Sequence, residues 1–198
     1  MKTRTKRIIS LILIVATLLL LSLSLVSCKG RYTYVEMTVK DYGTIILKLD
    51  SDAAPKTVEN FVNLVNSGFY NGLTFHRIKK DFMIQGGDPK GNGTGGTDNK
   101  IYGEFSSNGF INPISHKRGV ISMARSDEPN SASCQFFICN ADSPHLDGDY
   151  AAFGYVIEGM DVVDAITEEG IKHTTGDVIR DKSKQPVITE IKVIDYQE

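Results

Sequence analysis

Between Tyr34 and Ile194 the apolar residues come in short runs, and this pattern restricts the fold more than any other feature of the chain. Tyr34 to Lys40 alternates, with Val35, Met37 and Val39 on one face and Glu36, Thr38 and Lys40 on the other, the two-residue period of a half-buried strand. Asp41-Tyr42-Gly43 reads as a turn, and Ile45, Leu47 and Leu49 give a second strand, so the domain opens with a hairpin. Five more short runs follow, at Leu73–Ile78, Phe82–Gln85, Val120–Met123, Gln135–Cys139 and Ala152–Val156, separated by glycine- and asparagine-rich turns. Val187–Ile194 is a final alternating strand. Helical spacing occurs only twice. Val58, Phe61, Val62 and Val65, placed after Pro55 and before Gly68, predict a helix over 55–67. Met160–Glu168, after Gly159, predicts a second. Many short strands with two isolated helices predict a mainly β domain, a closed antiparallel barrel with helical caps. There is no repeat and no internal linker.

The N-terminus is a separate matter. Lys2, Arg4, Lys6 and Arg7 form a positive start, with no acidic residue before Glu36, and Ile8 to Val26 is an uncharged, mostly apolar run. Such a run is long for a secretory signal and just long enough to span a bilayer. Leu25-Val26-Ser27-Cys28 at its end resembles a bacterial lipobox, in which the cysteine is lipidated and becomes the first mature residue. The expected organisation is therefore a lipoprotein signal peptide over 1–27, a lipidated tether over 28–33 and one domain over 34–198. A plain signal-anchor helix is the alternative, and either places the domain outside the cytoplasm, because the positive residues stay inside. Loss of the four leading cations leaves 18 basic against 24 acidic residues, a mature charge of −6. The whole-chain charge of −2 speaks against nucleic acid as the main partner, and an anionic membrane would not attract the acidic mature surface. The lipid on Cys28 would hold it instead.

Several chemistries are absent. Gly91, Gly93 and Gly96 satisfy a G-x-G-x-x-G pattern, but Thr97-Asp98-Asn99-Lys100 does not open the apolar helix that a dinucleotide site needs. The pattern reads as a glycine loop beside a groove. Four scattered histidines without a cysteine partner predict no metal site. Cys134 and Cys139 are five apart on one run, so they face opposite sides and should not form a disulfide. No G-x-S-x-G nucleophile elbow is present, and nothing calls for a cofactor.

Phe75 to Asp88 reads FHRIKKDFMIQGGD. This segment resembles the signature of the cyclophilins, a family of peptidyl-prolyl cis–trans isomerases. Further blocks agree in order: Asn92–Gly96 (NGTGG), Gly119–Ala124 (GVISMA), Gln135–Cys139 (QFFIC), Leu146-Asp147-Gly148 and Phe153–Val156 (FGYV). Pro55–Phe61 (PKTVENF) also looks like the family's opening, and the resemblance runs from about residue 34 to 195. It implies a closed eight-stranded antiparallel β-barrel capped by two α-helices, in agreement with the pattern above. It also implies an active-site groove of Arg77, Phe82, Met83, Gln85, Ala124, Arg125, Gln135, Phe137, His145, Leu146 and Tyr150. In it Arg77 is the catalytic side chain and Gln85 orients it and contacts substrate. Phe82, Met83, Phe137 and Leu146 line the proline pocket, and residue 125 acts through its backbone. His76, adjacent to Arg77 on a strand, points the other way and reads as structural.

Two positions depart from the family pattern: a rim Trp of many members is His145 here, and a His is Tyr150. The resemblance implies proline-containing polypeptides as partners, among them unfolded exported proteins, and a monomer. Cyclosporin binding, common in the family, should be weak with imidazole at residue 145, which offers less apolar area than indole. The leading expectation is an extracytoplasmic isomerase tethered to the bacterial cell membrane and assisting the folding of exported proteins. The alternative is a non-catalytic proline-binding chaperone or surface interaction module using the same groove. Retention of Arg77 together with Phe82, Met83, Gln85 and Phe137 favours the enzyme.

Overall fold

A computed structural model of the chain describes residues 31–197. The expected signal peptide, Cys28 and the first half of the expected tether lie outside the described residues. One antiparallel sheet takes in every named strand of the described residues. Its strands are β1 (Tyr32–Val39), β2 (Gly43–Asp50), β3 (Phe75–Lys79), β4 (Met83–Gly86), β5 (Val120–Met123), β6 (Phe136–Cys139), β7 (Ala152–Glu158), β8 (Thr174–Thr175), β9 (Val178–Ile179) and β10 (Ile188–Ile194). The helices are α1 (Pro55–Asn66) and α2 (Met160–Gly170).

Strand order across the sheet is β10-β1-β2-β7-β5-β6-β4-β3-β9-β8. Eight of these strands have four residues or more, as the resemblance implies. The two-residue strands β8 and β9 form an extra hairpin that the sequence pattern does not announce. The chain just before β3 meets the chain just before β10. Phe75 N–H donates to the Pro186 carbonyl at 2.9 Å, Ile188 N–H to Leu73 at 2.8 Å and Gly72 N–H to Ile188 at 2.7 Å. Thr74 and Val187 form an isolated bridge there. These bonds curl the sheet towards a barrel by tying the stretch before β3 to the start of β10, while the outermost strands, β10 and β8, do not pair with each other. β1 starts at Tyr32, two residues earlier than its alternation suggests.

Burial explains which runs alternate. Val35, Met37 and Val39 are buried while Glu36 and Thr38 are not, because β1 has one face on the core and one in water. In β5 and β6 every residue is buried, so their runs are continuously apolar. Ile84, Ile121, Met123, Phe136 and Ile138 turn into the main core with Phe61, Tyr70 and Phe153. On the other face of the same strands, Met83, Phe137, Cys139 and Leu146 form a second apolar cluster, with Phe82, Ala124 and Tyr150 packed against it. That outer cluster makes the floor of the groove described below. Cys134 belongs to the inner cluster and Cys139 to the outer one, and both are free, as their opposite facing requires.

The helices close the barrel. Val58, Phe61 and Val65 of α1 reach the core, with the Phe61 ring 5.5 Å from Phe136 and 5.1 Å from Phe153. Val162, Val163 and Ile166 of α2 do the same. Gly68 takes a left-handed φ of +70° just past α1, and Gly159 one of +86° just before α2, so both glycines meet a real conformational demand.

Candidate active site

Arg77 on β3 and Gln85 on β4 are cross-strand partners. Arg77 Nη1 donates to Gln85 Oε1 at 3.1 Å, and Gln85 Nε2 donates to Gln135 Oε1 at 2.9 Å. Gln135 Nε2 then donates to the carbonyls of Gly95 at 2.7 Å and Gly93 at 3.2 Å. The direction of this chain is forced at both ends. A guanidinium can only donate and a backbone carbonyl can only accept, so both amides have one permitted orientation. The side chain of Arg77 is thereby referred to a fixed glycine loop instead of to solvent.

That loop is the G-x-G-x-x-G stretch, and it holds no helix. Buried Asp88 organises it by accepting N–H bonds from Lys90 at 2.7 Å, Asn92 at 3.0 Å and Gly93 at 2.5 Å. Burial pushes the Asp88 carboxyl up, but the backbone N–H bonds from Lys90, Asn92, Gly93 and Gly95 outweigh it and hold the group below the usual carboxylate value. A polar cleft of about 510 Å³ runs along the loop, bordered by Gln85, Ala124, Arg125 and Gln135.

Beside Arg77 lies a smaller apolar pocket of about 140 Å³, lined by Phe82, Met83, Phe137, Leu146 and Tyr150 together with Arg77, Gln85, Ala124 and Arg125. Drug-sized ligands occupy sites of about 300–1,000 Å³, so this one has room for a single small ring. His145 stands at the rim, with its ring 5.3 Å from that of Phe82. All eleven residues expected from the resemblance therefore come together, and one arginine with its polar relay stands at the mouth of an apolar recess.

The structure adds residues that no sequence signal marks. Asn140 is buried, and its Oδ1 accepts the Phe82 N–H at 2.6 Å while its Nδ2 bonds Lys79 O at 3.0 Å. It thus fixes the turn that carries Phe82, in which Asp81 adopts a left-handed φ of +56°. The Arg125 side chain is not idle. It donates to the carbonyls of Asp149, Ser126 and Asp127 and lies 4.8 Å over the Tyr150 ring, so it fastens the rim.

His116, like Asn140, is an addition. Its ring stacks on Phe137 at 6.0 Å, Nδ1 lies 2.8 Å from Asp147 and Nε2 lies 3.0 Å from the Ser122 hydroxyl. Burial pushes the His116 pKa below 6.5 against the pull of Asp147. The neutral ring donates from Nδ1 to the carboxylate and accepts from Ser122 at Nε2. This is the order of a hydrolytic triad, but Ser122 is fully buried. No substrate reaches it, and the arrangement supports Phe137 from beneath.

His76 sits at the irregularity between Phe75 and Arg77 in the β3–β4 pairing and lines neither the polar cleft nor the apolar pocket. It is buried, and among the described residues neither of its ring nitrogens has a hydrogen-bond partner. Burial pushes its pKa down, with Asp88 opposing. Both buried histidines are thus less basic in the folded chain than in the unfolded one. Below about pH 6.5 the unfolded chain binds protons that the folded one refuses, so stability is lost as pH falls through that value. The slope should reach at most about 1.4 kcal/mol per pH unit for each histidine. Urea midpoints at about pH 7.5 and about pH 5 check this, and His76→Gln should flatten the dependence. Equal midpoints for the parent chain at both pH values would refute it.

The comparisons agree with this geometry. The family model described as "Cyclophilin type peptidyl-prolyl cis-trans isomerase/CLD" matches residues 34–194. A Helicobacter pylori protein named peptidyl-prolyl cis-trans isomerase is 47% identical over 131 residues, covering 65% of this chain and 77% of the relative. A solved Cryptosporidium parvum structure, titled as a cyclophilin type peptidyl-prolyl cis-trans isomerase, superposes with a TM-score of 0.74 at 28% identity, over 84% of this chain and 99% of that one. A second structure of that parasite protein, in the presence of the dipeptide Ala-Pro, gives a TM-score of 0.72 at 29% identity, over 82% and 99% of the two chains.

Proposed function

Because the chain belongs to the cyclophilin-type peptidyl-prolyl cis-trans isomerases, we propose that its Arg77 and Gln85 catalyse rotation of an X–Pro bond seated in the adjoining apolar pocket. The observation that carries this reading is the one-way relay from Arg77 through Gln85 and Gln135 to the glycine loop, set at the mouth of a recess sized for one ring. Phe82, Met83, Phe137 and Leu146 hold the prolyl ring, and Ala124, Arg125, Gln135, His145 and Tyr150 border the flanking peptide.

An X–Pro amide rotates over a barrier of about 18–20 kcal/mol and takes tens to hundreds of seconds unaided. No covalent intermediate is needed; the enzyme has only to favour the twisted amide. Twisting localises the lone pair on the prolyl nitrogen and makes it a hydrogen-bond acceptor, which the Arg77 guanidinium satisfies as a fixed charged donor. The planar amide is the more charge-separated form, so an apolar pocket disfavours it relative to the twisted one. Exchange between cis and trans Ala-Pro peptide, measured by NMR with the full chain, tests the reading. Binding without accelerated exchange would leave a proline-binding module in its place.

The positive start, the apolar run and Leu25-Val26-Ser27-Cys28 support a finer reading: a monomeric lipoprotein whose Cys28 anchors it outside the cytoplasm of a bacterial cell. Its clients there are unfolded exported polypeptides, and its affinity for cyclosporin is weak for want of an indole at residue 145. Stable anchoring takes more than one acyl chain, which lipobox modification of Cys28 would supply. Cys28→Ala should abolish metabolic labelling with a fatty acid while leaving isomerase activity intact, since the groove residues lie between 77 and 150. Unchanged labelling in the variant would refute the anchor.

A further inference from the structure

Arg77 has a second side-chain partner that the relay does not include. Asp177 Oδ2 lies 3.4 Å from Arg77 Nη2 and 3.8 Å from Lys79 Nζ. We propose that Asp177 is a positioning residue of the isomerase, which holds the outer edge of the Arg77 guanidinium and keeps Lys79 from displacing it. The proposal rests on the reading of Arg77 as the catalytic side chain.

The local fold makes Asp177 a fixed point. Thr174 pairs with Ile179 and Thr175 with Val178, so Gly176 and Asp177 are the two residues of a tight hairpin turn. Gly176 takes a φ of +63°, the left-handed conformation such a turn needs at its first position. The hairpin is fastened to β3 at the level of the arginine itself. Val178 pairs with Arg77, and Ile78 N–H donates to the Asp177 carbonyl at 2.8 Å. Behind it Ile179 is fully buried, and its carbonyl accepts from Gln185 Nε2 at 2.7 Å. The carboxylate therefore meets Arg77 from a backbone that is bonded to the arginine's own strand.

The arrangement solves a charge problem on β3. Arg77 and Lys79 are two residues apart on one strand, so their side chains leave from the same face. Lys79 Nζ lies 5.9 Å over the Phe82 ring, at the rim of the proline pocket. Asp177 sits between the two cations. Gln85 holds Nη1 from inside the groove and Asp177 holds Nη2 from outside, which fixes the plane of the guanidinium as well as its position. Both partners are about one-third exposed, at 36% and 33%. Pairs of that exposure add little to stability, so the contact's consequence lies in aiming donors, where small misplacements carry large kinetic penalties.

The test is a cycle of Arg77→Ala, Asp177→Ala and the double variant in the full chain, read by NMR exchange on an Ala-Pro peptide. Asp177→Ala should lower kcat roughly 5- to 10-fold with little change in KM. In the Arg77→Ala background the same substitution should change nothing, because Asp177 acts only through the arginine. Salt at about 0.5 M should lower parent turnover towards that of Asp177→Ala and leave the variant unaffected. Asp177→Asn, which keeps an acceptor oxygen without the charge, should fall between. Parent-like kcat in Asp177→Ala, or losses that simply multiply in the double variant, would overturn the proposal. Parent-like kcat in Arg77→Ala would instead remove the catalytic reading on which it rests.

Discussion

Arg77→Ala is expected to cut isomerase turnover by roughly 10- to 150-fold while the barrel stays folded. The range follows from the bond that is lost: a hydrogen bond to a charged donor contributes about 1.5–3 kcal/mol, and each 1.36 kcal/mol is about tenfold in rate. Arg77→Lys should also be poor. An ammonium on a flexible stem cannot donate to Gln85 and to the prolyl nitrogen from one rigid plane. The fold should survive, because Arg77 is partly exposed and contributes no apolar surface to the main core. Residual activity is part of the expectation, since the apolar pocket of Phe82, Met83, Phe137 and Leu146 disfavours the planar amide without the arginine. Exchange on an Ala-Pro peptide, with circular dichroism as the control for folding, gives the answer. Parent-like turnover in a folded Arg77→Ala protein would take the residue out of the mechanism.

How far the sequence discloses this site depends on the range of the interactions. Strand alternation and the turn residues are local, so β1, β2, β5 and both helices stand close to where the apolar pattern puts them. Continuous runs such as Val120–Met123 say only that both faces are covered. That one of those faces belongs to a groove comes from the family resemblance and not from periodicity. The groove residues themselves were legible through their motif. Their supports were not: Asn140 reaches back 58 residues to Phe82, His116 meets Asp147 across 31, and Arg77 meets Asp177 across 100. A polar side chain that satisfies a distant backbone group leaves no spacing to read. The β8–β9 hairpin escaped for a different reason, because two-residue strands are too short to show a period.

Glu104 is the strongest case of such a distant support, and its removal should have the largest effect on stability. Helix α1 begins badly by local rules: Ala54 occupies the cap position and offers no side-chain acceptor. Pro55 lessens the difficulty, having no N–H to satisfy. The next two donors are met from elsewhere in the chain. Glu104, buried to 1% exposure, accepts the Lys56 N–H at 2.9 Å on Oε1, and the Thr57 N–H at 2.8 Å and hydroxyl at 2.7 Å on Oε2. Its negative charge also sits at the positive end of the helix dipole. Asn112 holds the segment in place by bonding the Glu104 carbonyl at 2.9 Å and the Ala152 carbonyl at 2.8 Å. Glu104→Ala would strand two backbone donors and a hydroxyl, each at about 1–3 kcal/mol if left unpaired. Water entering the space would recover part of this, so a net loss of about 3 kcal/mol is expected. For a domain of this size that corresponds to a fall in Tm of about 6–12 °C. Glu104→Gln should recover little, because its amide would turn a donor towards donors and the charge would be gone. The damage should centre on α1, whose Phe61 contacts Tyr70, Phe136 and Phe153 in the core. Isomerase turnover well below the melting transition should hold, since the groove is built on the opposite face of β4 and β6. Calorimetry of the parent and both variants measures the effect, and a Tm within about 2 °C of the parent in Glu104→Ala would show that α1 does not depend on this carboxylate.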